Sequence, residues 1–298
     1  MTSLPLPTVW SVRGRRLALD RPVVVGILNV TPDSFSDGGQ YVTGDAAVAR
    51  AASLIEAGAD IIDVGGESTR PGATSVDADT EIRRVMPILE RILRELPGAV
   101  LSIDTTKTAV ARVALEAGVH IVNDVSALRF DPGIAGVCAK AGAGLVLMHS
   151  RGEDITELAS FDRAVYADVG REVRDELATA IDLAREAGVP SDRIAVDPGI
   201  GFAKRSEHSL DALRCLPLLA ELRYPILVGV SNKRFIGEIT GVTEPAARTC
   251  GTLGACVSAL ALGARIFRVH QVRAAREALD VAWAIVGSRP SAFHPEPT

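Results

Sequence analysis

Polar side chains able to do chemistry recur at one kind of place in this 298-residue sequence: just after a short apolar run. Asp104, the pair Asn123-Asp124 and Asp197 each follow such a run, and Asn29 ends another. His149-Ser150-Arg151, Ser231-Asn232-Lys233-Arg234 and Arg268-Val269-His270 follow three more, and Asp63 leads into Gly65-Gly66-Glu67-Ser68-Thr69-Arg70. Buried Asp and Asn side chains offer complementary acceptors and donors to a planar heterocycle with N–H, NH₂ and C=O edges. Thr69, Arg70, Lys233, Arg268 and His270 suit phosphate oxygens, with Arg as a planar fork and Lys as a point charge. Asn29 is a hard oxygen donor that can help hold a Mg²⁺ bridging a diphosphate. Taken singly, each has a plainer reading. Asp104 could cap a helix, Asp197-Pro198-Gly199 is a good turn, and His149 and His270 could be ordinary buried histidines. A Lys or Arg at a helix start opposes the dipole, however, so Arg70, Lys233 and Arg234 are better explained by an anion. The same placement after all eight runs favours a site.

The elements that would position these residues alternate. The apolar runs lie at residues 23–29, 60–64, 100–103, 120–122, 144–148, 193–196, 225–230 and 265–269, and are expected to be buried strands. Segments of helical period lie between them at 45–57, 79–95, 107–117, 132–140, 164–187, 206–220, 246–262 and 272–285. Several end in Ala-Gly or Leu-Gly, where glycine can take the left-handed conformation that closes a helix. Eight strand–helix units predict an α/β fold, a single (β/α)8 TIM barrel whose strand ends converge on one mouth. A doubly wound open sheet would want a G-x-G-x-x-G after its first strand, and Gly26-Ile27-Leu28-Asn29 has none. Residues 8–20 read as two short extended pieces around Arg13-Gly14-Arg15, a hairpin capping the barrel's N-terminal face. The expected organisation is an N-terminal extension at 1–20, the barrel at 21–287 and a flexible tail at 288–298.

Composition narrows the partners. A net charge of −5 without a basic tract argues against nucleic acid or membrane, so an anionic substrate would need a local cluster of cations. Aromatics make up only 4% of the chain, and small aliphatics dominate, as suits strands covered on both faces. None of the four cysteines forms a Cys-x-x-Cys pair, so they read as reduced thiols rather than as disulfides or zinc ligands. No signal-peptide pattern opens the chain and no apolar run could span a bilayer, which makes a cytoplasmic location the expectation. H-E-x-x-H and G-x-S-x-G are both absent.

From about Pro22 to Ile285 the chain resembles the dihydropteroate synthases, pterin-binding enzymes of folate biosynthesis. The resemblance is carried by Gly26-Ile27-Leu28-Asn29-Val30-Thr31-Pro32-Asp33-Ser34-Phe35-Ser36-Asp37-Gly38-Gly39 and Asp63-Val64-Gly65-Gly66-Glu67-Ser68-Thr69-Arg70-Pro71-Gly72. Ser102-Ile103-Asp104-Thr105, Asn123-Asp124-Val125-Ser126, Asp197-Pro198-Gly199-Ile200-Gly201-Phe202-Ala203-Lys204, Ser231-Asn232-Lys233-Arg234-Phe235-Ile236-Gly237 and Arg268-Val269-His270 complete it. It implies condensation of 6-hydroxymethyl-7,8-dihydropterin diphosphate with p-aminobenzoate to 7,8-dihydropteroate, by an SN1-like departure of diphosphate assisted by Mg²⁺. It further implies that Asp104, Asn123, Asp197 and Lys233 hold the pterin, with Val125, Met148, Phe202 and Arg268 walling its faces. Thr69, Arg268 and His270 would meet the diphosphate, and Asn29 the diphosphate and metal. Phe35, Arg70, Pro71, Phe202 and Ser231 would surround p-aminobenzoate. Asp104, Lys233, Arg268 and His270 are the expected catalytic residues, and a homodimer the expected assembly. Asn232 stands where the family usually has Arg, and Gln271 where it has Asp; Ser150 is also an uncommon choice. Those departures motivate a rival reading, a non-catalytic pterin-binding paralogue. A tetrahydrofolate methyltransferase, which shares the pterin pocket, is the third.

Overall fold

A strand covered on both faces can be apolar throughout and still alternate, one side chain facing inward and the next outward. The computed structural model describes residues 7–30, 44–68, 74–158 and 160–287. A hairpin of β1 (Val9–Val12) and β2 (Arg15–Ala18) leads into β3 (Val23–Asn29), β4 (Ile61–Gly65), β5 (Leu101–Asp104), β6 (Ile121–Asp124), β7 (Gly144–Met148), β8 (Ile194–Asp197), β9 (Leu227–Val228) and β10 (Ile266–Val269). The last eight form one parallel sheet ordered β8-β7-β6-β5-β4-β3-β10-β9. A parallel bridge between Val196 and Ile226 joins its two ends, with Val196 N–H donating to Pro225 O at 2.9 Å. The expected TIM barrel is present, and the open-sheet alternative is excluded.

Helices follow the strands: α1 (Gly44–Glu56), α2 (Ala78–Glu95), α3 (Thr108–Ala117), α4 (Gly133–Ala141), α5 (Val169–Glu186), α6 (Ser206–Arg214), α7 (Leu216–Leu219), α8 (Arg234–Thr240), α9 (Thr249–Ala261) and α10 (Val272–Val286). Their boundaries have local causes. Asp77 caps α2 by accepting Thr80 N–H at 2.7 Å. α5 begins five residues later than the periodicity suggests because Asp168 accepts Arg171 N–H, while Glu172 reaches back to the N–H groups of Ala167 and Asp168. Pro217 lacks a backbone donor, so the single helix expected at 206–220 divides into α6 and α7. The glycines expected to close helices, 58, 118, 142, 188 and 263, all have positive φ. β9 is shorter than expected: Ile226 O accepts from both Arg265 and Ile266, which departs from a regular ladder.

Inward-facing side chains fill the barrel in layers. The lower layer holds Val25, Ile61, Ile121, Val146, Ala195 and Leu227, and the hairpin closes it from below with the fully buried Trp10 and Val12. Trp10 Nε1 donates to Arg193 O at 3.0 Å, so its polar end is satisfied under the barrel. Helices pack outside around a larger core that includes Leu28, Leu54, Ile88, Leu101 and Leu177. The tail expected at 288–298 lies outside the described residues.

Candidate active site

Two residues further along, at the next inward-facing positions, the interior turns polar on several strands: Asp63 follows Ile61, Asn123 follows Ile121, Asp197 follows Ala195 and Arg268 follows Ile266. The pairing register puts Asn29 beside Gly65, Gly65 beside Asp104, and Asp104 beside Asn123, so four neighbouring strands present these positions at one level of the mouth. A β-carbon on Gly65 would lie 3.6 Å from Asn29 Oδ1 and 3.8 Å from Asp104 Oδ2, so the glycine keeps open the space between them. Asp197 enters beside Met148.

Arg268 organises the centre. Its Nε donates to Asp63 Oδ2 at 2.6 Å and its Nη2 to Asp104 Oδ2 at 2.8 Å, which fixes the guanidinium plane between two carboxylates. Asp63 Oδ2 also accepts from Asn123 Nδ2 at 3.3 Å, while Asp63 Oδ1 is buried without a partner. Asp63 thus supports both Arg268 and Asn123. In the sequence its only signal is a carboxylate inside the apolar run Ile61-Ile62-Asp63-Val64, which shows no partner for it. The void beneath, lined by Asp63, Ser102, Asn123 and Arg268 among others, is only about 10 Å³, so the barrel is a packed core and not a pore.

Lys233 lies against Phe202, its Nζ 4.1 Å from the ring centroid, and a β-carbon on Gly201 would come within 3.2 Å of its Cδ. The β8–α6 loop, rooted at Asp197, therefore brings Phe202 against Lys233, which lies just before α8. Asp197 Oδ1 accepts Gly199 N–H at 2.7 Å, and Gly199 has φ +67 with no room for a side chain, since a β-carbon would collide with His149 O. The buried Lys204 donates to Phe202 O at 3.3 Å and meets His149 Nδ1 at 2.7 Å, pinning the loop from below. His149 Nε2 is 2.9 Å from Glu176, so His149 is a satisfied buried histidine, the plainer of its two readings.

Val125, Met148 and Leu158 form a small apolar cluster with Phe202 and Phe130 packed on it, which is a flat-walled pocket side. Asp124 serves its own turn, accepting from Ser126 N, Ser126 Oγ and Leu128 N. Ser150, the uncommon residue, donates to Val125 O at 2.8 Å and accepts from Arg129 at 2.9 Å, supporting that wall from behind.

Ser231 ties the last two strands together at the mouth. Its hydroxyl accepts His270 N–H at 3.2 Å and lies 2.9 Å from His270 Nδ1. The hydroxyl has one donor and two acceptor sites, so it can accept the backbone N–H and still give its own proton to Nδ1, the arrangement that leaves the ring proton on Nε2. Arg234 corrects an expectation. It pairs with Glu238 at 2.5 Å, stacks on Phe161 and is mostly exposed, so the cation at the start of α8 needs no anion to explain it. Thr69, Arg70, Pro71 and Phe35 lie outside the described residues. Among the described residues, no group of three or more His, Cys, Asp or Glu side chains could hold a metal ion.

Burial sets the charges. It lifts the Asp104 carboxyl to about 7, with Arg268 opposing and Asp63 adding to the rise. It lifts Asp197 to about 6 against the Gly199 N–H and the Lys233 cation. It also lowers Lys233 to about 8, with Asp197 opposing. Such shifted groups gathered at a strand-end mouth mark an active site more often than a structural one.

Asn232 has φ +61, in the left-handed region that Asn tolerates better than Arg. Its N–H donates to Thr252 Oγ1 at 3.0 Å and its carbonyl accepts from Arg248 at 3.0 Å. Asn232→Arg should therefore destabilise the fold by about 1 kcal/mol through backbone strain. Pterin affinity should stay within roughly threefold, because no described pocket group bonds this side chain. Thermal melts and ligand titration of the variant check both halves.

A closed parallel barrel whose mouth sets buried carboxylates and an amide against Lys, Arg and His defines a barrel enzyme that takes a polar heterocycle carrying an anionic group. The pterin binding enzyme model matches residues 25–270. A dihydropteroate synthase of Synechocystis sp. is 45% identical over 265 residues, covering 89% of this chain and 90% of the relative. One from Mycobacterium leprae is 44% identical over 271 residues, covering 89% and 94%. The Xanthomonas albilineans dihydropteroate synthase solved with 4-aminobenzoic acid has a TM-score of 0.86 at 44% identity, covering 95% of this chain and 99% of that one. The same enzyme in complex with 7,8-dihydropteroate has a TM-score of 0.83 at 42% identity, covering 94% and 100%. The chain belongs to the pterin binding enzymes and, within them, to the dihydropteroate synthases, transferases of folate synthesis.

Proposed function

We propose that this chain holds 6-hydroxymethyl-7,8-dihydropterin diphosphate at its strand ends and transfers the pterin methylene to the amine of p-aminobenzoate. The observation that carries the residue roles is the Asp63–Arg268–Asp104 bracket with Asn123 and Asp197 beside it. Asp104 and Asp197 would accept pterin N–H groups, Asn123 would give and accept one bond each, and Lys233 would donate to a ring nitrogen or carbonyl. Val125, Met148 and Phe202 would wall one side of the ring and the Arg268 guanidinium the other.

As the methylene–oxygen bond breaks, negative charge grows on the diphosphate and positive charge on the pterin. Arg268 and the His270 Nε2–H face the anion, while Asp104 and Asp197 stabilise the cation; fixed charges in a water-poor pocket act strongly on such a transition state. The arylamine then attacks, carbon–nitrogen bond formation releases its proton, and no covalent enzyme intermediate is required. Positional isotope exchange of the bridging oxygen without p-aminobenzoate would support this dissociative order. Thr69 is assigned to the diphosphate; Phe35, Arg70, Pro71, Phe202 and Ser231 are assigned to p-aminobenzoate, Ser231 through the acceptor capacity its hydroxyl retains. The Asn29 amide oxygen suits a Mg²⁺ that takes its other ligands from diphosphate and water, and the space beside Gly65 would admit it. When bound, the ion would neutralise part of the diphosphate charge.

The charges at the mouth give a pH dependence. The carboxylates must be ionised to accept N–H groups, and burial raises them, so that form is lost as pH falls through about 7 for Asp104 and about 6 for Asp197. Lys233 is lowered by burial, so its cation is lost as pH rises through about 8. The expected kcat/KM for the pterin substrate is bell-shaped, with limbs in those two windows; this parameter reports the free enzyme. A flat profile from pH 5.5 to 9 would contradict the assignment. Formation of 7,8-dihydropteroate from the two substrates, followed by mass spectrometry, tests the function itself.

A second copy of the chain is the proposed partner; Val281, Ile285 and Val286 give α10 an exposed apolar face that supports a homodimer. A cytoplasmic setting is proposed on the four unpaired cysteines. No helix among the described residues is long and apolar enough to cross a membrane.

A further inference from the structure

Lys204 ends the β8–α6 loop, and the substrate contacts have no use for it. It is 1% exposed. Among the described residues its bonds go to His149 Nδ1 at 2.7 Å and Phe202 O at 3.3 Å, and not to a carboxylate. Burial lowers its pKa to about 7, with Asp197 opposing. A methionine would fill the same space without desolvating a cation, so packing alone does not account for a lysine here.

The loop it ends does not follow local backbone preference. Gly199, Gly201 and Ala203 have φ of +67, +78 and +45, and the left-handed region disfavours an alanine. Surrounding groups must therefore hold this backbone. Phe202 N–H donates to Gly199 O at 3.1 Å, Ala203 N–H to Leu158 O at 2.8 Å, and the Tyr166 hydroxyl to Ala203 O at 3.1 Å. Lys204 adds its bond to Phe202 O. The held loop carries the Phe202 ring onto Val125, Met148 and Leu158 and against Lys233.

The lysine is itself held from outside. An ammonium only donates, so His149 Nδ1 accepts its bond and the ring proton lies on Nε2, 2.9 Å from Glu176. Burial lowers the His149 pKa to about 4, with Lys204 adding to the fall, so the ring is neutral and free to accept. Arg151 Nη2 pairs with both Glu176 and Glu172 on α5. The line Arg151, Glu176, His149, Lys204 thus runs from the half-exposed face of α5 to the carbonyl of Phe202.

We propose that Lys204 is a positioning residue for the pterin: backed by His149 and Glu176, it fixes the Phe202 carbonyl and so the ring that closes one face of the pocket. The inference rests on the reading above that Phe202 walls the pterin. Titration of pterin diphosphate into the whole protein tests it, with the parent, Lys204→Met, Phe202→Ala and the double variant compared. Lys204→Met should weaken binding about tenfold, because small displacements of groups that orient a substrate have large effects. In the Phe202→Ala background the same change should weaken it by less than about threefold, since the ring being positioned is gone and only the lost charge near Asp197 remains. His149→Asn, whose amide can present an oxygen where Nδ1 stood, should keep affinity within about threefold of the parent. His149→Leu, which leaves the lysine without that acceptor, should match Lys204→Met. Unchanged affinity in Lys204→Met would overturn the proposal, as would equal losses in both Phe202 backgrounds, which mean general loosening. If Lys204→Met does not fold, the His149 pair carries the test, and equal affinities there would overturn it. A parent that binds no pterin diphosphate would refute the pocket reading and this inference with it. A parent that binds it, and loses affinity in Phe202→Ala alone, would overturn only the inference.

Discussion

Arg268→Gln is expected to lower kcat/KM at least about a thousandfold and to destabilise the protein as well. Two losses combine. The first is the guanidinium that meets the departing diphosphate; a hydrogen bond to a charged group contributes about 1.5–3 kcal/mol, and preorganised donors at a developing anion contribute about 3–4 kcal/mol to the barrier. The second is the counter-charge of Asp63 and Asp104, which Arg268 bridges at 2.6 and 2.8 Å. Removing one member of a buried charge cluster typically destabilises by about 3–5 kcal/mol. The Arg268 side chain is 22% exposed, so some water reaches the site and the lower half of that range is the better expectation. For a domain this size that is a fall of roughly 5–10 °C in melting temperature. Scanning calorimetry and steady-state kinetics on one preparation separate the two. Full stability with lost turnover would mean that the bracket does not hold the pocket together. Full turnover would remove Arg268 from the chemistry.

Asp104→Asn is the second large effect. It replaces an acceptor-only carboxylate with an amide that can present an N–H to a group requiring an acceptor, and it removes one arm of the Arg268 bracket. Pterin diphosphate affinity should fall about a hundredfold, the value of one charge-assisted bond at the upper end of its range. The acid limb of the kcat/KM profile should also lose its higher step, leaving Asp197 to titrate at about 6. The comparison with Asn232→Arg is the sharper form of this expectation. The carboxylate change should weaken pterin binding far more than the loop change does. Equal effects would mean that the pocket has been placed on the wrong residues.

The barrel was legible in the sequence because strands buried on both faces read as continuous apolar runs, and helices between them carry their own stop signals. The strand ends were legible for the same reason: a polar residue at the end of an apolar strand has to face something. Four features were not: one long-range pairing, one local ion pair, one short helix and one backbone conformation. Asp63 meets Arg268 across 205 residues of sequence, and no local pattern shows that pairing. Arg234 sits at a helix start, where a cation looks misplaced, but its partner Glu238 lies one turn on. α8 itself went unpredicted because seven residues show too little periodicity to stand out. Asn232, unusual for the family, becomes intelligible through its φ of +61 and its bonds to Thr252 and Arg248, none of which a sequence displays. Gln271, the other departure, ends with its Oε1 buried and without a partner, and nothing in the structure explains that choice.

The most direct test of the central claim is diphosphate release by the purified protein with pterin diphosphate, Mg²⁺ and p-aminobenzoate, each omitted in turn. The strand-end site described here predicts stoichiometric diphosphate and 7,8-dihydropteroate with all three present, and loss of both products in Arg268→Gln. Tight pterin diphosphate binding without release under any of these conditions would contradict it, and would identify the chain as a member of the family that binds the pterin but does not perform the condensation.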